Sequence, residues 1–253
     1  MDVLSPELLL ILFTVATVAG FVDAIAGGGG LLTLPVLLWS GMTPVEALAT
    51  NKLQGSFGTF SASLHFIRGK WVSLQDLIPE IALTFIGSVS GTLLVQHLDT
   101  GVLVDVIPVL LIGMALYTLF SPRMEDIESR QRISRRLFVL LIGFGVGFYD
   151  GFFGPGTGSL FCIAFVALMG LGLNRATAHA KILNFTSNIA ALIFFAAGGH
   201  MVWTVGLVMA AGQILGAYVG AHTVMTQGSR VIKPLLFLVS LALALKLLLS
   251  NSN

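Results

Sequence analysis

The chain has 253 residues, of which 56% are apolar and 10% charged, and its formal net charge is +1. A soluble domain carries roughly 25% charged residues, so this composition, with a mean hydropathy of +0.95, predicts a membrane protein with several spans of about 20 residues each. One cysteine, five scattered histidines and the lack of basic runs with interleaved aromatic residues exclude a disulfide framework, a metal cluster and nucleic-acid binding, and we expect no cofactor.

The first apolar stretch, 8–22, imitates the core of a signal peptide, because the small residues of 24–26 follow it like a cleavage site. Its leading residues are acidic rather than basic, however, and a similar local pattern recurs in mid-chain at 147–150. We therefore interpret the first stretch as part of the mature protein.

Ten apolar stretches are spread along the chain. They occupy about 8–22, 31–40, 46–66, 77–98, 102–120, 137–149, 159–173, 176–198, 202–226 and 231–249. Helix-start signals precede several of them: Ser5 and Thr43 each stand before a proline, and Glu46 completes a capping box with Thr43. These signals predict α-helices rather than strands of a barrel, and hence an all-α polytopic membrane protein.

A polar segment at 121–136 divides the chain. It begins with Ser121-Pro122 and contains five of the chain's arginines, Arg123, Arg130, Arg132, Arg135 and Arg136. We interpret it as a charged cytoplasmic linker between a first transmembrane repeat, 1–120, and a second, 137–253.

The two halves match each other residue by residue. Gly20, Phe21, Asp23, Gly27 and Gly29 recur 127 residues later as Gly147, Phe148, Asp150, Gly154 and Gly156. After a shift of two positions, Ala47, Ala49, Lys52, Gly87 and Gly91 pair with Ala176, Ala178, Lys181, Gly216 and Gly220, and Pro108 and Pro234 close the series. An acid and a lysine in the same order in both halves indicate an internal duplication rather than a coincidence of common glycines.

Positive charge distinguishes two arrangements of these repeats. Lys52 and Lys181 are left out of the count because we expect them to lie within the membrane. If each unit has a glycine-broken re-entrant hairpin and three full crossings, the units are inverted, and ten basic residues face the cytoplasm with Lys246 alone outside. If each unit makes four crossings, the repeats are parallel, with eight basic residues inside and Arg175, Arg230 and Lys233 outside. The positive-inside rule favours the inverted arrangement, with both termini outside.

Glycine-rich breaks interrupt both halves at matching places. The first consists of Gly27, Gly28, Gly29 and Gly30, and the second contains Gly154, Gly156, Thr157 and Gly158 around Pro155. A backbone break at bilayer depth must face protein or a wet cavity, and the half-helix after it presents free N–H groups and a partial positive charge. The breaks therefore predict an anion site, with close helix packing as the alternative; for the Gly87/Gly91 and Gly216/Gly220 pairs we favour packing.

One lysine in each half lies deep in the membrane. Lys52 is about 13 Å along its helix from the Thr43 cap, and Lys181 is about 10 Å from a cap expected at Asn174. A lysine at that depth costs about 3 kcal/mol or more without water or an opposite charge. Each could form a structural ion pair with Asp23 or Asp150 or act as a counter-ion for a substrate, and both roles could alternate.

Further polar side chains surround the lysines in sequence. They are Thr50, Asn51 and Gln54 in the first half and His179 and Asn184 in the second. Amides and ammonium groups with few carboxylates suit an oxyanion better than a metal cation, so we assign these residues to the substrate site. Asp23 and Asp150, just ahead of the breaks, either cap the loop or take up a proton in ion coupling.

Four motifs carry a resemblance to a known family. GFVDAIAGGGG at 20–30, ATNKLQ at 49–54, GFYDGFFGPG at 147–156 and ATAHAK at 176–181 are similar to the paired motifs of the TauE/SafE sulfite exporter family, also called the sulfonate uptake permeases. The resemblance covers nearly the whole chain. It implies a multi-pass inner-membrane transporter of sulfur-containing oxyanions such as sulfite, sulfoacetate or related sulfonates.

We expect a secondary transporter of small anions, with its substrate between the two breaks, and we favour export over import. An anion channel or an importer is the alternative, and an enzyme is disfavoured because no nucleophile stands beside a base or a metal cluster. The expected partners are the substrate anion and the lipid bilayer, and a homodimer is left open.

Overall fold

The computed structural model describes residues 5–119 and 126–227, and within these ranges the chain forms α-helices joined by short turns. The helices are α1 (Pro6–Ala26), α2 (Gly29–Trp39), α3 (Pro44–Arg68), α4 (Ile78–Gln96), α5 (Thr100–Leu119), α6 (Arg135–Phe138), α7 (Gly145–Phe152), α8 (Thr157–Met169), α9 (Leu173–Ala197) and α10 (Trp203–Gln227). A 3-10 turn, Gln75–Leu77, leads into α4, and a π-helical segment, Val139–Phe144, joins α6 to α7.

Two predicted helix starts are confirmed. The Ser5 hydroxyl accepts a hydrogen bond from the Leu8 N–H at 3.4 Å, and Thr43 and Glu46 form the reciprocal capping box at the start of α3.

The predicted cap at Asn174 is wrong. Helix α9 begins at Leu173, with Gly172 as its N-cap. Because glycine has no side chain to accept from the first turn, Asp126 in the linker does so, and the Asn174 N–H donates to Asp126 Oδ1 at 3.0 Å.

Four helical segments of the described chain are long and apolar enough to cross a membrane. They are Pro6–Ala26, Gln75–Gln96, Leu173–Ala197 and Trp203–Gln227. Helix α3 is equally long at 25 residues but falls outside this set, because Asn51, Lys52 and Gln54 lower its apolar character. The chain is therefore a multi-pass membrane protein, as its composition predicts.

Nine of the ten predicted apolar stretches coincide with helical segments. The stretch at 137–149 is the least regular, because it contains the end of α6, the π-helical segment and part of α7. The tenth stretch, 231–249, lies outside the described residues, as do Arg123, Arg230, Lys233, Pro234 and Lys246.

The predicted packing role of the paired glycines is confirmed. A side chain at Gly216 would collide with the Thr17 carbonyl oxygen, and a Cβ at Gly220 would lie 2.6 Å from the carbonyl oxygen of Phe21. Since both residue numbers rise together, α10 and α1 run in the same direction.

Gly87 and Gly91 of α4 make the equivalent contacts in the other half. They meet the carbonyl oxygens of Phe144 and Phe148, so α4 runs parallel to the π-helical segment and α7. Missing side chains thus allow two pairs of helix backbones to approach closely.

Contacts between residues of two helices also show whether the two helices run in the same direction. Leu53 of α3 meets Gly206, and Gly58 meets Gln213, so α3 is parallel to α10. By the same test α4 is parallel to α9, because Ser88 donates to Ser187 O at 2.6 Å and Gln96 meets Gly198.

Helices α3 and α9, which carry the two lysines, cross in opposite directions. Gly55 faces Asn188, whereas Ser63, eight residues later, donates to the Lys181 carbonyl oxygen at 3.0 Å. Six of the described helices therefore form two sets, with α1, α3 and α10 in one direction and α4, α7 and α9 in the other.

The polar middle of α3 lies between two separate clusters of buried apolar side chains. One cluster contains Ala47, Leu48 and Ala49 of α3, and the other contains Ala62 and Phe66. Along α9 the same two clusters flank the polar residues Asn184, Thr186, Ser187 and Asn188. Apolar packing thus lies on both sides of the polar centre of the protein.

Candidate functional site

The two glycine breaks meet at the centre of the protein. Gly27 ends α1 with φ +76°, and Gly156 begins α8 with φ +85°, a left-handed backbone that favours glycine. Gly27 also contacts the backbone of Gly158 so closely that a side chain would not fit. The first turns of α2 and α8 therefore lie near each other.

Both lysines form buried ion pairs, and both pairs cross between the halves. Lys52 Nζ of α3 lies 2.8 Å from Asp150 Oδ1 of α7, with 1% and 2% of the two side chains exposed. Lys181 Nζ of α9 lies 2.9 Å from Asp23 Oδ2 of α1, with 1% and 16% exposed. In the described conformation each lysine therefore forms an ion pair, which is one of the two roles predicted from the sequence. Each lysine is paired with the aspartate of the other half.

Each aspartate also holds the glycine break that follows it. Asp23 Oδ1 accepts a hydrogen bond from the Gly29 N–H at 3.2 Å. Asp150 Oδ1 accepts one from Thr157 Oγ1 at 2.7 Å. Both bonds reach the first residue of the half-helix beyond the break, which is the geometry of a loop cap.

Amide and hydroxyl groups of α2 and α3 form a second polar cluster. Thr33 donates to Asn51 Oδ1 at 2.6 Å, and Gln54 donates both to Asn51 Oδ1 at 2.8 Å and to Thr33 Oγ1 at 3.1 Å. On α9, Asn188 donates to Asn184 Oδ1 at 3.0 Å. These bonds fix side chains around the lysines that would otherwise be free to rotate.

A cavity of about 30 Å³ lies between the breaks and the lysine helices. Its lining includes thirteen of the residues that the sequence singles out: Asp23, Gly27, Gly29, Gly30, Asn51, Lys52, Gln54, Asp150, Gly154, Gly156, Thr157, Gly158 and Asn184. The volume holds about two water molecules.

Four other predicted site residues are not part of this lining. Lys181 lies just behind it, paired with Asp23, and Gly28 precedes α2. Thr50 is fully buried, and its hydroxyl has no hydrogen-bond partner among the described residues.

His179 points elsewhere. Its Nδ1 lies 2.7 Å from the Arg175 carbonyl oxygen, and its ring packs edge-on against Phe165 at 5.3 Å between centroids. A helix turns about 100° per residue, so a residue two positions before Lys181 lies about 200° around α9 from it.

The cavity also has lining residues that the sequence reasoning missed. They are Gly55, Thr59, Asn188 and Gln213. Asn188 is four positions after Asn184 and so shares its helix face, and Thr59 is its counterpart in the first half. Comparing whole helix faces between the two halves, rather than single residues, would have predicted both members of this pair.

The chain belongs to the TauE/SafE family. The family model "Sulfite exporter TauE/SafE" matches residues 12–247. Two relatives named probable membrane transporter proteins are similar over almost their whole length. YfcA of Escherichia coli K12 is 50% identical over 244 residues, covering 96% of this chain and 91% of the relative. The protein of Haemophilus influenzae is 49% identical over 241 residues, covering 95% and 94%.

A more distant relative, the probable membrane transporter protein YunE of Bacillus subtilis, is 26% identical over 241 residues, with 84% of this chain and 87% of the relative covered. No solved structure matches the chain. Family membership and the apolar helices together identify a membrane transporter.

Proposed function

We propose that this transporter moves small sulfur-containing or organic oxyanions, such as sulfite, sulfoacetate or related sulfonates, across the inner (plasma) membrane. Export is the direction that we favour. The observation that carries the proposal is the pair of buried lysines at a central cavity lined by two glycine breaks. Lys52 and Lys181 would supply positive charge to the anion, and the first N–H groups of α2 and α8 would bind its oxygens.

The small volume of the cavity favours an occluded conformation. A cavity of about 30 Å³ has no room for a sulfite or sulfonate group, so substrate binding must separate the groups around it. The crossed ion pairs are the contacts that such a movement would open, because each one joins a helix of the first half to a helix of the second.

The helix directions support inverted repeats with re-entrant hairpins. The repeat matches α1, α3 and α4 with α7, α9 and α10, and each member of one triplet runs opposite to its counterpart. Helix α2 has only 11 residues, about 16 Å of helix, so it returns only part of the way before α3 starts in the direction of α1. We retain the division into repeats at 1–120 and 137–253.

The linker contacts support its place on the cytoplasmic side with the start of α9. Ser129 N–H donates to Gly170 O at 2.8 Å, and Glu128 forms an ion pair with Arg175. Arg135 pairs with Glu80 near the start of α4. A basic linker and Arg175 on one side agree with the inverted arrangement.

Anion binding by purified protein tests the proposal. Melting of the detergent-solubilised protein would be followed with sulfite, sulfate, thiosulfate, sulfoacetate, taurine and simple carboxylates. A ligand at 100 times its dissociation constant adds about 2.7 kcal/mol to stability if it binds only the native state. Stabilisation by cations or neutral solutes alone would remove the anion proposal.

Flux into proteoliposomes separates a transporter from the alternative, an anion channel. A transporter saturates with anion concentration and is accelerated by unlabelled anion on the far side, whereas a channel shows neither effect. We propose no catalytic step. A homodimer stays a proposal, and the mass of the solubilised protein would test it.

A further inference from the structure

The charges of the candidate site already cancel. Among the described residues that line the cavity or contact it, Lys52 and Lys181 are cationic and Asp23 and Asp150 anionic, and they form two complete pairs. A monovalent anion entering this site would leave one uncompensated negative charge in the middle of the membrane, which is costly. A bound cation would restore neutrality.

Asp150 has a free oxygen where a small cation could bind. Its Oδ1 faces Lys52 at 2.8 Å and accepts from Thr157 at 2.7 Å. Its Oδ2 is fully buried and accepts no hydrogen bond from the described residues. Buried polar atoms are nearly always satisfied, so this one calls for a partner outside the described residues, which in the adjoining cavity is a water, a proton or another cation.

Asp23 differs from its repeat counterpart in this respect. Its two oxygens both have donors, Gly29 N–H on Oδ1 and Lys181 on Oδ2. A proton on Asp23 would therefore compete with an existing contact, whereas a proton on Asp150 Oδ2 would displace no hydrogen bond from the described residues.

No second cation of the described chain occupies the surroundings of Asp150. Helix α3 contributes Lys52, α8 contributes the neutral Thr157, and the nearest α4 side chains, Ser88 and Thr92, are neutral as well. The charged groups further along α4 and α9 are engaged elsewhere, Glu80 with Arg135 and Lys181 with Asp23. The neighbouring Tyr149 donates its hydroxyl to Pro155 O at 2.6 Å.

We infer that Asp150 Oδ2 binds a proton that crosses the membrane together with the anion. This inference rests on the proposed function. Hydronium on the entry side delivers the proton: its O–H bond breaks, an O–H bond forms at Oδ2 and water is left, so the Lys52–Asp150 pair changes from neutral to a net charge of +1. The anion then binds beside Lys52 and the loaded site is neutral again. For a monovalent anion the transport cycle moves no net charge, so its direction follows the two concentration gradients.

Proteoliposomes with a pH-sensitive dye inside test this on the wild-type protein. Methanesulfonate is a suitable probe beside sulfite, because it is the anion of a strong acid and carries no proton of its own at neutral pH. Anion uptake with sodium-free buffer should acidify the lumen by about one proton per anion, and an imposed membrane potential should leave the rate unchanged. Anion uptake without protons, or only with sodium, would overturn the inference and leave the proposed function standing; no uptake of either anion would overturn both.

Two matched variants locate the proton. Asp150→Asn has the shape of the protonated acid, and we expect anion flux with proton movement per anion reduced at least tenfold. Asp23→Asn, at the repeat-related position, should keep the wild-type ratio of protons to anions whatever its rate. An Asp150→Asn variant that keeps this ratio would overturn the assignment. If Asp150→Asn does not fold, the ratio of protons to anions in Asp23→Asn is the test. Loss of proton movement in Asp23→Asn would contradict the assignment to Asp150.

Discussion

Lys52 and Asp150 belong to different halves of the chain, yet their charged groups lie 2.8 Å apart with almost no exposure to solvent. The second pair, Lys181 with Asp23, has the same crossed arrangement but leaves 16% of the aspartate side chain exposed. The two halves are therefore held together by matched interactions of unequal burial.

This inequality predicts different costs for removing the two lysines. Lys52→Met leaves a buried carboxylate without its counter-charge and should lower the free energy of unfolding by about 3–5 kcal/mol. Lys181→Met should cost less, because Asp23 has more access to water. Unfolding of both variants in detergent, followed by the loss of helical signal, measures the difference.

The double variant Lys52→Met, Asp150→Asn removes both charges and is therefore the control for Lys52→Met. It should recover part of the lost stability while its anion affinity stays at least tenfold below that of the wild type, an apparent loss of about 1.4 kcal/mol or more. A double variant that transports at the wild-type rate would contradict the role given to Lys52.

The inverted arrangement makes a prediction about two exposed sites. In a Cys162→Ala background, which removes the chain's single cysteine, cysteines at Ser73 and at Arg175 should both be protected from a membrane-impermeant maleimide applied from outside. A cysteine at Asp99 should react, and it serves as the positive control.

Parallel repeats would instead place Arg175 and Ser73 on opposite sides of the membrane. Labelling at Arg175→Cys without labelling at Ser73→Cys would therefore return the topology to the parallel arrangement. That outcome would also contradict the antiparallel contact of α3 with α9, in which Ser63 donates to the Lys181 carbonyl oxygen.

Close packing at the paired glycines should make them intolerant of larger residues. Gly216→Leu and its counterpart Gly87→Leu force apart helix backbones that touch, and overpacking of this kind costs about 1–3 kcal/mol or more. Gly113→Leu on α5 has open space at its Cβ position and is the matched control. Melting temperatures that fall equally in all three variants would argue against a specific backbone contact.

The linker should contribute to the stability of α9 through a single side chain. Asp126→Ala removes the acceptor for the Asn174 N–H and should cost about 1 kcal/mol, the usual effect of losing an N-cap. Glu128→Ala breaks only an exposed ion pair with Arg175 and should have almost no effect. Equal effects of the two substitutions would contradict the capping role of Asp126.

The sequence could predict the parts of this protein that depend on local chemistry. The Thr43 capping box, the glycine breaks and the burial of the two lysines all follow from neighbouring residues and helix geometry. The partner of each lysine could not be predicted, because Asp23 and Asp150 are equivalent in the repeat and only the assembled halves decide between them.

His179 shows a second limit of the sequence. The sequence grouped it with Thr50 among the polar side chains around the lysines, but nearness in sequence does not place two side chains on the same face of a helix. Both residues are two positions before their lysine and are thus turned away from it around the helix. The Asn174 cap failed for another reason, because the group that caps α9 comes from the linker, 48 residues earlier in the chain.

The crossed pairs also have a consequence for synthesis. Asp150 leaves the ribosome on the order of 5–20 seconds after Lys52, at the usual 5–20 residues per second. In the proposed arrangement α3 would enter the bilayer during that interval with a lysine whose final partner does not yet exist, at an insertion cost of about 3 kcal/mol. A chain released after the first half contains Asp23 but neither Asp150 nor the helices of the second half, so we expect it to be degraded by membrane quality control rather than to persist as a half-transporter.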